Sequence, residues 1–494
     1  MTEDLSALPP GVTMTLAAIA ATGASPRPSG ETLVVQKQRI SNGIVQQLSD
    51  KTLATQGNWG LAWLGLSPDN ANMAYIAKGP SSQFAVVVRG TVGNAIDTIE
   101  DLDVGTVVPF TVGGPSPVSV SKGAMTAFTQ VVTMTDESSA AGAGLVEALA
   151  SLLKPAPGAT VYVVGHSLGG CIATMLALYL QAQTWNDSPQ FAVSTFAAPT
   201  AGLKDFANRF NSVKWALYQG YVNKYDLVPL AWAGLDTATS WYPAPGPVAP
   251  LVVKDVLIPG IKGLSGPNEY VQPTTTVLPL NTDYKAYDPK VLKSSTQDFL
   301  AQVAFQHANA TYLRLLNSPV PAPAPVVDSI SPRVGAPGTQ ITITGSGFDS
   351  ESTVDFGTVP GVPPNLVSDT QITAIAPAGV GVVDVRVTNN LGTSPAVPFG
   401  QFAYGGPEPV VVTGIVPDSG KLGTGVTING VGFGGTPTVY FGDRTATATV
   451  VSPTQIKATV PLPDPKQPKT IDVRVRVDGY LSPAVPVDEF THTG

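Results

Sequence analysis

Residues 161–170 read Val-Tyr-Val-Val-Gly-His-Ser-Leu-Gly-Gly and run straight into the small aliphatic stretch Cys171-Ile-Ala-Thr-Met-Leu-Ala-Leu-Tyr-Leu180. A run of β-formers, a glycine-flanked serine and a helix-length apolar segment can fold into little besides a strand, a tight turn and a helix. Such an elbow exposes the serine hydroxyl, and the flanking glycines leave room for strand and helix to crowd against it. Ser167 is therefore the candidate nucleophile. The N–H of Leu168, at the N-terminus of the following helix, is a candidate donor to an anion. His166, inside the motif, is expected to point elsewhere and to serve structure.

A serine hydroxyl needs a base to take its proton, and the base needs an acid to orient it. The chain has three histidines. His166 lies in the elbow and His492 near the C-terminus, so His307 is the candidate base. It is read near the start of the last helix in Phe305-Gln-His-Ala-Asn-Ala-Thr-Tyr-Leu313. For the acid, Tyr221-Val-Asn-Lys-Tyr-Asp-Leu-Val-Pro229 reads as a strand that ends in Asp226, at a sheet edge where ligands bind. Asp236 is the alternative. A second oxyanion donor is expected from a loop after an earlier strand. Phe84-Ala-Val-Val-Val-Arg-Gly-Thr91 supplies that loop, with Thr91 as the donor.

The chain is too long for one core: 494 residues predict several domains. The alternating prolines of Asn317-Ser-Pro-Val-Pro-Ala-Pro-Ala-Pro-Val-Val327 read as a semi-rigid linker. After it, Ile330-Ser-Pro332 is answered by Ile415-Val-Pro417, Thr342-Ile-Thr-Gly-Ser-Gly-Phe348 by Thr427-Ile-Asn-Gly-Val-Gly-Phe433, and Val354-Asp-Phe-Gly357 by Val439-Tyr-Phe-Gly442. The offset is 85 positions (417 − 332, 442 − 357), and alternating strands such as Gln340-Ile-Thr-Ile-Thr344 predict two all-β immunoglobulin-like sandwiches. The expected division is 1–316, a linker at 317–325, and sandwiches at 326–405 and 408–492.

Composition excludes several classes. A net charge of -8 with no basic cluster offers no footprint for nucleic acid. One cysteine, Cys171, permits neither an intrachain disulfide nor a cysteine-built metal site, and it is expected to pack behind the elbow. No apolar run is long enough for a transmembrane helix. Met14 to Ala21 is apolar but follows Glu3 and Asp4 rather than Lys or Arg, so no secretory leader is expected.

Over roughly 40–316 the motifs fall in the order of the class 3 lipases, the family of filamentous-fungal triacylglycerol lipases and their plant and bacterial relatives. Val88-Arg-Gly-Thr91 followed by Glu100-Asp-Leu102 resembles that family's oxyanion strand and lid region, and Gly165-His-Ser-Leu-Gly-Gly170 its elbow. Ser121-Lys-Gly-Ala-Met-Thr-Ala-Phe128 is similar to its glycine-bearing helix start. Thr195-Phe-Ala-Ala-Pro-Thr-Ala-Gly202 is similar to a Thr-Phe-Gly-x-Pro-x-x-Gly strand, with Ala197 in place of glycine. Asn223-x-x-Asp226-x-Val-Pro229 and His307-x-x-x-x-Tyr312 resemble the acid and histidine motifs. The resemblance implies an α/β-hydrolase fold, a mostly parallel sheet flanked by helices. It implies a Ser167-His307-Asp226 triad with Thr91 and Leu168 as oxyanion hole, and hydrolysis of acyl-lipid esters at a lipid–water interface without metal or organic cofactor. A phospholipase A1 and a polyester or short-chain esterase share those requirements. A non-catalytic surface adhesion protein is the alternative of another class. The stretch 230–306 is either lid and acyl-binding wall or a surface excursion.

The Ile-x-Pro, Gly-x-Gly-Phe and Val-x-Phe-Gly motifs resemble the IPT/TIG immunoglobulin-like modules. These imply spacers, or units that bind a surface or carbohydrate, and a place outside the cell or at its surface; a cytoplasmic enzyme is the other option.

Overall fold

Every residue from Val161 to His166 is buried, so the strand leading to Ser167 is covered on both faces, as the centre of a parallel sheet must be. The computed structural model describes residues 7–24, 33–90, 103–136, 142–234, 242, 250–251, 253, 258–273, 277–279, 295–321, 325–368, 370–389, 392–394, 396–464, 469–484 and 488–493. The chain divides into two compact units, Met1–Ala24 with Ser41–Pro321 and Ser25–Ile40 with Ala322–Gly494.

The first unit is built on one seven-stranded sheet whose spatial order follows the chain. Its strands are β1 (Gly60–Leu66), β2 (Met73–Lys78), β3 (Gln83–Val88), β4 (Thr160–His166), β5 (Gln190–Phe196), β6 (Leu217–Val222) and β7 (Val277–Pro279). The first three form an antiparallel meander. From β3 onward all neighbours are parallel, the arrangement expected of an α/β-hydrolase sheet. Four helices frame the candidate site: α1 (Pro10–Ile19), α2 (Leu168–Gln181), α3 (Ser295–His307) and α4 (Asn309–Leu315).

Strand alternation sends successive residues of β4 to opposite faces. Val161 and Val163 enter the large apolar core with Cys171, Ile172, Met175 and Leu176 of α2. Tyr162, Val164 and His166 therefore face the other side. There the Tyr162 hydroxyl accepts the Leu8 N–H at 3.0 Å, and α1 packs along β4 and against α4. Cys171 lies in the core behind the elbow as expected, and burial pushes its thiol up to about 12.

The end of β3 is anchored through its side chain. The buried Arg89 guanidinium donates to the carbonyls of Gly23 and Asn70 and, at 3.1 Å, to Asn70 Oδ1. Burial pulls its pKa down to about 10, against the opposing field of Asp69. Arg89→Met strips three acceptors of a charged donor and should destabilise the fold by about 2–3 kcal/mol, read as a lower urea midpoint at unchanged slope. A midpoint equal to wild type would reject the anchoring role.

The second unit shows why its sequence repeats. Val327, Ile341, Phe348 and Phe356 are buried in one sandwich core. Val412, Val426, Phe433 and Phe441 are buried in the next, the same positions 85 residues on (412 − 327, 441 − 356). In Gly-x-Gly-Phe the first glycine admits a neighbouring strand: a Cβ on Gly345 would collide with the Val326 carbonyl, and one on Gly430 with the Val411 carbonyl. The second glycine is left-handed in both repeats, with φ of 72° at Gly347 and 77° at Gly432.

The repeats differ in the strand that follows Val-x-Phe-Gly. In the second, Arg444–Ser452 is a single strand that pairs with Thr438–Phe441 and with Gln455–Thr459. In the first, the matching stretch is broken into Val359–Val362 and Asn365–Ser368. Pro363 and Pro364 stand between them, and two residues without an N–H cannot continue a ladder.

Candidate active site

The elbow is bent at the residue that carries the hydroxyl. Ser167 has φ 58° and ψ -132°, a conformation that costs a non-glycine residue energy and persists because its surroundings hold it. Its N–H donates to the Phe196 carbonyl at 2.9 Å, and its carbonyl accepts the Gly170 and Cys171 N–H groups. The two motif glycines are required by contact. A Cβ on Gly165 would collide with the Gly169 main chain, and one on Gly169 with the Val88 carbonyl.

Ser167, His307 and Asp226 come together from three separate elements. The Ser167 hydroxyl lies 2.8 Å from His307 Nε2, and His307 Nδ1 lies 2.9 and 3.1 Å from the two Asp226 carboxylate oxygens. A carboxylate can only accept, so Nδ1 carries the proton and Nε2 is left with its lone pair toward the hydroxyl. All three residues are buried, Asp226 to 1% exposure.

Two local expectations are corrected. The strand before the acid is β6, which stops at Val222, and Asp226 sits four residues beyond on a turn closed by its own N–H to the Asn223 carbonyl at 2.9 Å. Asn223 causes the stop, because its side chain accepts the Tyr225 N–H and donates to the carbonyl and side chain of Gln306. His307 closes α3 rather than lying near the start of the last helix. Ala308, with ψ 142°, breaks the helix before α4 begins.

Tyr312, on α4, is no candidate from sequence beyond its place in the histidine motif. Its hydroxyl accepts the Asn223 N–H at 3.0 Å and donates to Asp226 Oδ2 at 2.8 Å. Burial and the Asp226 charge push its pKa well above the usual phenol value, so it stays a donor. With the Val228 N–H at 3.0 Å, the carboxylate receives a phenol, an amide and an imidazole.

Leu168 opens α2, where a helix leaves its first N–H groups without intrahelical acceptors. Gly90 lies against the elbow: a Cβ there would meet the His166 carbonyl at 2.8 Å and Ser167 Cβ at 3.3 Å. Thr91, the next residue, lies outside the described residues, as do Glu100–Leu102 and the alternative acid Asp236. Asp205 is occupied elsewhere, accepting the Ser119 N–H and hydroxyl at 2.9 Å each. His492 belongs to the last strand of the second unit.

Within 230–306, the described Trp232 and Tyr242 are buried in a separate apolar cluster with Tyr270, Phe299 and Val303, and Leu168 packs on its edge. A cavity of about 200 Å³, lined by Thr174, Thr195, Tyr218, Leu230 and Gln272 among others, includes neither Ser167 nor His307 in its wall. At Ala197 the backbone is left-handed, with φ 53°, which accounts for the glycine in the pattern this strand resembles. Among the described residues no cluster is arranged to hold a metal ion, and no helix is long and apolar enough to cross a membrane.

Residues 85–234 match the family model Lipase (class 3), and 325–401 and 409–487 each match the IPT/TIG domain. Secreted mono- and diacylglycerol lipase 3 of Gibberella zeae is 31% identical over 112 residues, which are 20% of this chain and 35% of that protein. Among solved structures, M37 lipase superposes with a TM-score of 0.52 at 20% identity, over 62% of this chain and 92% of its own, a likeness of fold. The Rhizomucor miehei lipase propeptide complex gives 0.33 at 23% identity, over 47% and 64%. His307 lies beyond the matched segment and is joined to it by the tertiary structure. The chain carries a class 3 lipase domain followed by two IPT/TIG domains.

Proposed function

We propose that the first unit hydrolyses carboxylic esters of acyl lipids through an acyl-enzyme on Ser167. The observation that carries this reading is the continuous hydrogen-bonded line from the Ser167 hydroxyl through His307 to Asp226. His307 Nε2 takes the hydroxyl proton as Oγ attacks the ester carbonyl, and the imidazolium is stabilised by Asp226. The oxyanion is met by the Leu168 N–H and by Thr91. Collapse of the tetrahedral intermediate breaks the bond to the alcohol, which leaves with the proton from His307. Water, activated by the same imidazole, then releases the fatty acid. The apolar cluster reaching Leu168 supports an acyl chain as the group held beside Ser167.

The domain division proposed is 1–316, 317–325, 326–405 and 408–492, supported by the family matches at 325–401 and 409–487. The sandwiches are read as spacers or surface-binding modules. A location outside the cell or at its surface is supported by the secreted relative.

Chain length of the preferred ester is the informative measurement. p-Nitrophenyl esters from acetate to palmitate, with and without prior treatment by a fluorophosphonate, should show turnover that the reagent abolishes. A preference for long chains supports a lipase, and one for acetate and butyrate a short-chain esterase. Turnover no faster than buffer on every ester, by folded protein, would reject the hydrolase reading.

A further inference from the structure

His166 is the one buried imidazole that the proposed reaction does not use. Strand parity sends it to the face of α1, α3 and α4, away from the core beneath α2. Its ring lies 4.8 Å from the His307 ring, tilted by 42°, and meets Tyr312 edge-on at 5.4 Å. Among the described residues its Nε2 is buried without a hydrogen-bond partner, an arrangement that costs folding free energy. An apolar ring would avoid that cost.

We propose that His166 is a positioning residue that backs the His307 ring and, through Tyr312, the Asp226 carboxylate, holding the base in line with Ser167 as an uncharged wall. The proposal rests on the hydrolase reading above. Its physical basis is that His307 is tethered at both nitrogens within its own plane, to Ser167 and Asp226, while nothing in those bonds prevents the ring from tipping out of that plane. The His166 ring opposes the tip.

The wall must also stay neutral. Its neighbour becomes an imidazolium during each turnover, and a second cation 4.8 Å away would oppose that step. Burial, and then the neighbouring His307, holds His166 well below the ordinary imidazole range. Among the described residues, the titratable groups facing it are His307 and Tyr312, with Asp226 beyond them. Helix α1, packed on the same strand, carries none.

The test compares His166→Ala with His166→Phe on the best ester of the panel. Removing the ring should lower kcat by about 10- to 100-fold, the size expected for misplacing a catalytic group by about 1 Å. KM should stay within about twofold, because the ring touches no substrate group. Phenylalanine should recover most of that loss. With three histidines in the chain, imidazole nitrogen spectra of wild type resolve each ring. His166 should keep neutral shifts from about pH 8 to about pH 5, the span over which an ordinary imidazole protonates, and the His307 signals should move in His166→Ala.

Unchanged kcat in His166→Ala, equal losses in the two variants, a loss confined to KM, or protonation of His166 within that span would each overturn the proposal. Absence of esterase activity in wild type would instead remove the hydrolase reading, and the spectra would still report whether His166 fixes the His307 ring.

Discussion

Ser167→Ala should lower kcat for ester hydrolysis by about 10⁵- to 10⁶-fold, the loss found when a serine nucleophile is removed from a triad that works as a unit. The reasoning is local. The Ser167 hydroxyl lies in hydrogen-bond contact with His307 Nε2, and without it no covalent intermediate forms, however well the other groups are placed. The backbone should hold, because the bend is fixed by main-chain bonds from Ser167 to Phe196, Gly170 and Cys171 that alanine keeps. Alanine also tolerates the φ of 58° about as well as serine does. Circular dichroism should therefore give an unchanged melting curve, while fluorophosphonate labelling disappears. A folded variant retaining a tenth of wild-type kcat would show that the hydrolysis runs elsewhere.

Asp226→Asn should cost about 10⁴-fold in kcat with little change in structure. The carboxylate is the acceptor for Tyr312, Val228 and the Nδ1–H of His307. Its amide replacement has a single oxygen to serve the first two, and turns its NH₂ toward the imidazole. His307 must then accept at Nδ1 and carry its proton on Nε2, where it faces the Ser167 hydroxyl with no lone pair to take a proton. The loss should appear in kcat rather than KM, and partial recovery is expected as rising pH ionises a larger share of the serine without the base. A variant within tenfold of wild type would remove Asp226 from the relay.

Much of the site was legible one residue at a time. The elbow is written in consecutive residues because a sharp turn at Ser167 needs the glycines at 165 and 169, whose Cβ positions are filled by main chain. His307 followed from scarcity, since three histidines leave few choices. The sandwiches were legible because a repeated core must be written twice. Other contacts were hidden. Asp226 reads as the end of a strand, yet Asn223 turns the chain back on itself before it. Tyr312 reads only as the last residue of the histidine motif, and its meeting with Asn223 and Asp226 shows why a hydroxyl is there.

His166 shows the division most clearly. The sequence alone determined that it flanks the nucleophile and, by parity, lies on the face opposite Val163. Which ring it would meet there depended on the path of the chain 141 residues later (307 − 166), where α3 ends and α4 begins. Local pattern determines elements, turns and the identity of a nucleophile, because those follow from backbone sterics and burial within a few residues. The tertiary structure decided which acid, which phenol and which second imidazole surround His307, because side chains from α3, α4 and the turn after β6 meet only when β4 through β6 lie side by side.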